Sequence, residues 1–426
     1  MNPFRALFFS LIFISLALTN VRCFGPDGRV GQASVLIGSN LYFFGGNTMN
    51  PRFTDQVIYL NLSSSFNILS PPWNPIATSP IPILLNSAVP CLSTDKSTVY
   101  LVGGMSQNQQ NSSILMIPQS SVYAFNTNNL SWTTPNIDGF NSTFLGRADM
   151  NGVADSNGNC YSFGGFFEHL TAASSSITYN DTNIFDTKAM RWLTRTLPNT
   201  PLSRVLYSAV LKDNLIFYIG GLGDTGNTTF DMNKIPIFDI VNLKWLSMTT
   251  RGDPIGSRFG HSAVLTQDGL ILIYGGSGIS GSSNVQVQPD VATLDVSTTP
   301  YIWKAIITDK APRPLMYHSA TLFGIYMIIA FGSVVPQPAS SKLALNNNLY
   351  IFNAQNYSWV NTFDVLNIHG SNSTNSDSSS LGVKIGTSIG VVIFVGIIAV
   401  VGFFFYKKFR NHKSVPIATP GTLSYK

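Results

Sequence analysis

The chain has 426 residues, of which 44% are hydrophobic and 11% charged, and its formal net charge is +5. Eight of the 25 basic residues lie in the two terminal stretches, so 17 basic residues stand against 20 acidic ones in between. This slightly negative balance excludes the broad basic surface that nucleic-acid binding requires. Three cysteines are too few for a disulfide framework, so buried apolar surface must stabilise the core.

The N-terminal residues 1–23 are predicted to be a signal peptide. Arg5 is followed by an uncharged apolar run from Ala6 to Leu18, which is too short to span a bilayer. Small residues flank both Thr19 and Cys23, so cleavage after either residue fits the sequence.

A repeated unit of fifty-odd residues fills positions 24–368. Six glycines, each ending an aromatic or apolar run, stand 55 to 61 residues apart, and one of the six tryptophans follows each glycine by 25 to 29 residues. The glycines are Gly45, Gly103, Gly164, Gly220, Gly275 and Gly332, and the tryptophans are Trp73, Trp132, Trp192, Trp245, Trp303 and Trp359. Five of these glycines begin a Gly-Gly pair, whereas Ser333 follows Gly332. Four β-rich runs per unit, separated by turn residues, predict a propeller blade repeated round a ring.

These units resemble the kelch repeat, over roughly Phe24 to Leu366. The resemblance implies an all-β propeller of four-stranded blades, similar to the central domain of galactose oxidase. Six units predict six blades. The alternative is a seventh blade, completed by strands from both termini.

Three segments are predicted after the repeats. Residues 369–384 form a Ser/Asn-rich stalk, 385–406 are 22 uncharged residues that predict a transmembrane helix, and 407–426 are a basic tail. The basic flank orients the tail toward the cytoplasm and toward anionic lipid. The prediction is therefore a type I single-pass protein of the plasma membrane or a secretory-pathway membrane, with the propeller outside or in the lumen. Gly386 and Gly390 fit a weak homodimer through close helix packing.

Eight Asn-x-Ser/Thr sites precede the predicted helix and none follows it, which agrees with that orientation. They predict glycosylation at Asn61, Asn111, Asn129, Asn141, Asn180, Asn227, Asn356 and Asn372.

The cysteines leave two alternatives open. If Cys23 is removed with the signal peptide, Cys91 and Cys160 can form one disulfide. Two separate buried thiols fit the sequence equally well, because each cysteine lies in or beside an apolar strand.

The resemblance also raises an enzymatic alternative, since the family includes copper oxidases that hold the metal with two histidines and two tyrosines. His261 and His318 stand 57 residues apart and each precedes Ser-Ala, so they share one repeat position, which Tyr207 and Asn86 hold in other units. This predicts packing between blades rather than metal ligation. His169 lies in a variable loop and His369 in the stalk, so no copper ligand set is evident. We expect no cofactor, no metal and no catalytic residues.

An arginine stands shortly before that repeat position in five units: Arg29, Arg147, Arg204, Arg258 and, slightly displaced, Arg313. Ring symmetry would gather these side chains at one channel mouth, where guanidinium groups could bind carboxylates. The alternative is that each arginine ties its blade to the next through backbone carbonyls.

The sequence thus favours a recognition or adhesion module for an extracellular protein or glycan, with an acidic ligand at the arginines. The alternatives are a membrane-tethered copper carbohydrate oxidase and a non-catalytic scaffold for other membrane proteins.

Overall fold

Short antiparallel strands make up almost all of the structure. The computed structural model describes residues 24–49, 52–107, 115–116, 122–144, 146–167, 177–223, 228–336 and 343–368, all within one compact unit. The helices of these ranges are two 3-10 turns, Ser142–Phe144 and Val365–Asn367.

Six four-stranded meanders follow one another along these ranges, and consecutive strands pair within each. We number them sheets 1 to 6. Their strands are Ala33–Ile37, Asn40–Phe44, Val57–Asn61 and Trp73–Pro75 in sheet 1; Val89–Leu92, Thr98–Val102, Val122–Asn126 and Ser131–Thr133 in sheet 2; Gly152–Ala154, Asn159–Phe163, Thr182–Asp186 and Arg191–Arg195 in sheet 3; Ser208–Lys212, Leu215–Ile219, Lys234–Asp239 and Lys244–Gly252 in sheet 4; Ser262–Leu265, Ile271–Tyr274, Val291–Asp295 and Tyr301–Ile306 in sheet 5; and Ser319–Phe323, Tyr326–Ala330, Leu349–Asn353 and Ser358–Val360 in sheet 6.

The first strands of the sheets contact one another in a closed cycle, from sheet 1 through sheet 6 and back to sheet 1. These strands therefore line a central channel. Sheets 4 and 5 are also joined at their outer edges, where 250–252 pair in parallel with 301–303. The predicted all-β propeller fold is confirmed.

Shorter strands pair in the loops between the sheets. They are Leu84–Asn86, Met105–Gln107 and Leu115–Met116; Phe166–Phe167 and Ile177–Thr178; Gly278–Ser280 and Ser283–Val285; Leu315–Met316 and Ser333–Val334; and Phe66–Asn67 and Thr362–Phe363. The last pair joins the end of the described chain to sheet 1. There Phe363 stacks on Phe66 with ring centroids 5.2 Å apart, and Ser65 Oγ donates to Asp364 Oδ1 over 3.1 Å.

The core lies between neighbouring sheets. Each tryptophan of the repeat lies in the fourth strand of its sheet, and several pack on an aromatic ring at the end of the second strand of the preceding sheet. The ring centroids are 6.1 Å apart for Phe44 and Trp132, 4.7 Å for Phe163 and Trp245, and 5.1 Å for Tyr274 and Trp359. Because large aromatic side chains dominate core burial, the spacing of glycine and tryptophan records how one sheet packs on the next.

A disulfide joins Cys91 in the first strand of sheet 2 to Cys160 in the second strand of sheet 3, with the Cα atoms 5.9 Å apart. Both residues are buried. Of the two alternatives that the sequence left open, the structure adopts the bridge.

The predicted membrane topology gains no support from the described ranges. A bilayer-spanning helix takes about 20 apolar residues, and no helix described in these ranges meets that requirement. The predicted transmembrane helix at 385–406 lies outside the described residues. So do 1–23, 369–384, 407–426 and the residues Gly386 and Gly390.

The disulfide closes a loop of 69 residues between two sheets, so its removal should loosen the unfolded chain and lower stability. We expect the Cys91→Ala/Cys160→Ala double variant to lose about 2–4 kcal/mol of unfolding free energy in guanidinium titrations. In denaturant without reductant, alkylation followed by peptide mass spectrometry should leave both wild-type cysteines unmodified. Alkylation of both cysteines under those conditions would contradict the bridge.

Candidate functional site

Directly after the second strand of each sheet come two residues with left-handed backbone. In sheets 1 to 5 these residues are the Gly-Gly pairs, with φ of 59–68° at the first glycine and 85–109° at the second. In sheet 6 the corresponding angles belong to Phe331, at 65°, and Gly332, at 91°. The last pair is therefore Phe331-Gly332 and not Gly332-Ser333, so the predicted alignment of this unit was wrong by one residue.

The second residue of each pair ties its sheet to the next one. Its N–H donates to a backbone carbonyl just before the following sheet, at what we call the joint residue. The six bonds are Gly46 to Leu85, Gly104 to Arg147, Gly165 to Arg204, Gly221 to Arg258, Gly276 to Leu315 and Gly332 to Arg29, with lengths of 2.7–3.3 Å. A Cβ on the first glycine of a pair would lie only 2.3–2.6 Å from the same carbonyl oxygen. In sheets 1 to 5, the absence of a Cβ at that position therefore lets the two sheets approach this closely, whereas sheet 6 has Phe331 there.

Four of the six joint residues are arginines, and their guanidinium groups point into the protein. Each Nη1 donates to the carbonyl of the first glycine of its own sheet: Arg29 to Gly45, Arg147 to Gly164, Arg204 to Gly220 and Arg258 to Gly275, over 2.9–3.2 Å. All four side chains are buried, with at most 4% of their surface exposed. Arg313 is exposed and lies two residues before the joint residue Leu315.

The structure therefore does not gather the five arginines at an open mouth. Arg258 also donates through Nε to the carbonyl of Gly256 and through Nη2 to that of Pro289. Burial lowers the pKa of Arg258 to about 10, so its guanidinium is still protonated at neutral pH. The arginines therefore stabilise the blades through hydrogen bonds to backbone carbonyls, which we call their bracing role.

Two residues after each joint residue, the chain adopts a left-handed conformation again. These residues, which we call the channel ring, are Gly31, Ser87, Asp149, Leu206, Gly260 and Tyr317, with φ of 55–65°. Neighbouring members are linked by backbone hydrogen bonds, from Ser87 to Gly31, Leu206 to Asp149, Gly260 to Leu206, Tyr317 to Gly260 and Gly31 to Tyr317, over 2.7–3.5 Å. Four of the six are not glycine, and strained backbone of this kind concentrates at binding sites. No residue-type pattern in the sequence reveals this ring.

The residue after each ring member faces the second glycine of a pair. This slot holds Gln32, Ala88, Met150, Tyr207, His261 and His318. Sheet 2 thus places Ala88 in the slot, whereas the sequence predicted Asn86, which lies two residues earlier. The equivalence of His261 and His318 is confirmed.

Burial keeps both slot histidines uncharged. It lowers the pKa of His318 to about 3, and it lowers the pKa of His261 well below the ordinary value, with the charge of Arg258 adding to the effect. His318 Nε2 lies 2.7 Å from Ser262 Oγ. Within the described ranges no three His, Cys, Asp or Glu side chains are grouped to hold a metal. His169 and His369 lie outside those ranges.

A cavity of about 290 Å³ opens at this end of the channel, and we call it the mouth cavity. The channel ring and the slot residues line it, with Asn47, Met105, Asn151 and Leu343 at its sides. Several buried polar atoms around it have no hydrogen-bond partner: Gln32 Oε1, Asn86 Oδ1 and both ring nitrogens of His261. Buried polar atoms are normally paired, so these atoms mark a surface suited to a polar ligand.

The predicted glycosylation sites differ in accessibility. Asn129, Asn180 and Asn356 are exposed, while Asn61 and Asn141 are half-buried. Asn141 Nδ2 donates to Thr194 Oγ1 over 3.1 Å, so the atom that would carry a glycan is engaged. Asn111, Asn227 and Asn372 lie outside the described residues.

The bracing role of the arginines gives a stability prediction. Arg258→Met leaves three backbone carbonyls without their donor, and each unsatisfied buried group costs about 1–3 kcal/mol. We expect a loss of at least about 3 kcal/mol in denaturant unfolding. Arg313→Met, the exposed control, should stay within about 0.5 kcal/mol of wild type. Equal stabilities of the two variants would contradict the bracing role.

The chain is similar to known proteins in sequence and in fold. A family model described as the KLHDC2/KLHL20/DRC7 Kelch-repeats domain matches residues 8–221, 88–332 and 206–396. Kelch domain-containing protein 3 of Bos taurus is 27% identical over 333 residues, covering 74% of this chain and 80% of that protein. The Homo sapiens protein of that name is 25% identical over 332 residues, with the same coverage. The solved structure of YjhT is 14% identical, with a TM-score of 0.58 over 78% of this chain and 97% of that one, which is a likeness of fold.

Two predictions are decided here. The predicted localisation, a type I single-pass membrane protein, is corrected by the relatives that match over most of their length, which are named as kelch domain-containing proteins. The prediction that the chain is not an enzyme is confirmed, since the matching model and these relatives indicate no catalytic family. With a family model matching most of its length, the chain belongs to the kelch-repeat family.

Proposed function

We propose that this propeller is a protein-recognition module that binds a segment of its partner in the mouth cavity. The kelch-repeat match supports a protein-interaction module. The proposal takes the six sheets as a complete six-bladed ring, because the contacts between first strands return from sheet 6 to sheet 1 without a gap.

The unpaired atoms of the mouth cavity carry this proposal. Gln32 Oε1 and Asn86 Oδ1 are buried acceptors that a main-chain N–H of an inserted segment could satisfy. A neutral His261 has one donor and one acceptor nitrogen, and both are unpaired. A cavity of about 290 Å³ admits a side chain or a short stretch of backbone and excludes a folded domain.

The lining also bears on the charge of the partner. Asp149 is the only carboxylate among the residues that line the mouth cavity, and no lysine or arginine lines it. The side chains of Met105, Met150, Leu206 and Leu343 add apolar surface. This lining favours a segment without acidic side chains, in contrast to the acidic ligand that the arginine pattern predicted.

Selection from a random peptide library displayed on phage tests the site. Peptides enriched on the full-length chain are titrated by fluorescence polarisation against wild type, Leu343→Arg and Asn151→Arg. Each substitution places a long side chain into the mouth cavity, so we expect binding to weaken at least about tenfold.

Val241→Arg is the matched control, because it makes the same kind of change at a residue that is 68% exposed in a turn of sheet 4 and does not line the cavity. It should bind as wild type does. Peptides that bind all four proteins equally would place recognition elsewhere on the chain and overturn the proposal.

A further inference from the structure

Arg204 differs from the other three joint arginines in what its guanidinium group contacts. Arg29 donates through Nη2 to Gln56 Oε1 over 2.7 Å, and Arg147 forms an ion pair with Asp181 through both Nη atoms. Arg258 donates to two carbonyls besides that of Gly275. Arg204 has a hydrogen bond from Nη1 to the carbonyl of Gly220, and its Nε is buried without a partner.

This difference between the arginines comes from the residue that pairs with the first glycine, just before the third strand of the sheet. The N–H of the first glycine of each pair donates to the carbonyl of Gln56 in sheet 1, Asp181 in sheet 3 and Asp290 in sheet 5. The side chains of these residues face the arginines as acceptors or as negative charges. In sheet 4 this ladder ends at the pair Phe217 and Ile237, and the N–H of Phe230 donates to the carbonyl of Gly221, as Thr54 does to Gly46 and Tyr179 to Gly165. Met232, two residues after Phe230, therefore stands where Gln56 and Asp181 stand in sheets 1 and 3, and a Cβ on Gly220 would lie 3.4 Å from its Sδ. Sheet 4 has an apolar side chain where its neighbours have an acceptor.

A second cavity, of about 650 Å³, lies beside Arg204. Arg204 and Lys234 both line it, and we call it the Arg204 cavity. The guanidinium carbon lies 4.1 Å from the centroid of the Phe230 ring, which holds the group in place beneath the cavity. Only 4% of the Arg204 surface is exposed, and Arg204 is one of the residues that line this cavity.

The rest of the lining combines apolar walls, among them Leu202, Pro236, Trp245 and Leu246, with the polar residues Asn199, Thr200 and Ser247. One acidic residue, Asp231, lies at its side, and its Oδ1 accepts from the backbone N–H of Asn233 over 2.9 Å. Two cations against one carboxylate leave the cavity with a net positive charge.

We propose that the Arg204 cavity binds a small organic carboxylate with an apolar body. The carboxylate would accept from Nη2 of Arg204, an atom through which Arg147 also meets Asp181, while its apolar body packs on Trp245 and Phe230. Lys234 at the entrance adds attraction for the anion. Burial lowers the pKa of Arg204 to about 10, so the guanidinium is charged at neutral pH. This site lies beside sheet 4 and is independent of the proposed protein-binding mouth.

Phenylacetate is a suitable probe, and phenylacetamide is its uncharged match. Both are titrated into the full-length chain by isothermal titration calorimetry. Phenylacetate should bind saturably, and phenylacetamide at least about tenfold more weakly, because the amide lacks the charge that pairs with the guanidinium. The decisive variant is Lys234→Asp, which reverses the charge of one of the two cations that line the cavity.

Lys234→Asp should weaken phenylacetate binding at least about tenfold, because a carboxylate in the lining repels the anion, and the melting temperature should stay near that of wild type, since Lys234 is exposed. Lys310→Asp, the same charge change in an exposed turn, should bind as wild type does. No saturable binding of phenylacetate, equal binding of acid and amide, or wild-type affinity in Lys234→Asp would each overturn the proposal.

Discussion

The structure depends on one backbone hydrogen bond that is repeated at every joint between sheets. A residue with left-handed backbone ends the second strand, and its N–H donates to the carbonyl of the joint residue of the next sheet. One such bond contributes only about 1 kcal/mol to stability. Its larger effect is to fix how closely neighbouring sheets approach, which in turn sets the packing of the repeat tryptophans and brings the channel ring together.

Because backbone atoms make these bonds, the side chains at the joints can vary without breaking the ring. The joint residue is arginine in four places and leucine in two, and Phe331 replaces the first glycine once. Both candidate sites arise from this freedom. At the mouth, buried acceptors and a neutral histidine have no partner, and in sheet 4 an arginine lacks the side-chain acceptor because Met232 stands at that position.

Spacing along the chain was enough to predict the fold, since the glycines and tryptophans mark the strands that pack between sheets. It was not enough to predict side-chain direction, so the arginines were expected at an open mouth although they are buried. The spacing also failed to predict shifts of one or two residues within a unit: Asn86 was expected in the slot of Ala88, and Gly332 at the position of Phe331. The disulfide stayed undecided because Cys91 and Cys160 are 69 residues apart and meet only through the packing of two sheets. The contrast between Met232 and Asp181 is visible only once the pairing of the strands is known.

The importance of the joints is tested most directly by comparing Gly220→Ala with Gly281→Ala in chemical unfolding. Both glycines have left-handed backbone, with φ of 59° and 61°. A Cβ at Gly281 would meet nothing within 4 Å, whereas one at Gly220 would lie 2.4 Å from the carbonyl oxygen of Arg258. Gly281→Ala should therefore cost about 1 kcal/mol, from backbone strain alone. Gly220→Ala should cost at least about 2 kcal/mol more, because it forces sheets 4 and 5 apart. Equal losses for the two variants would contradict the account.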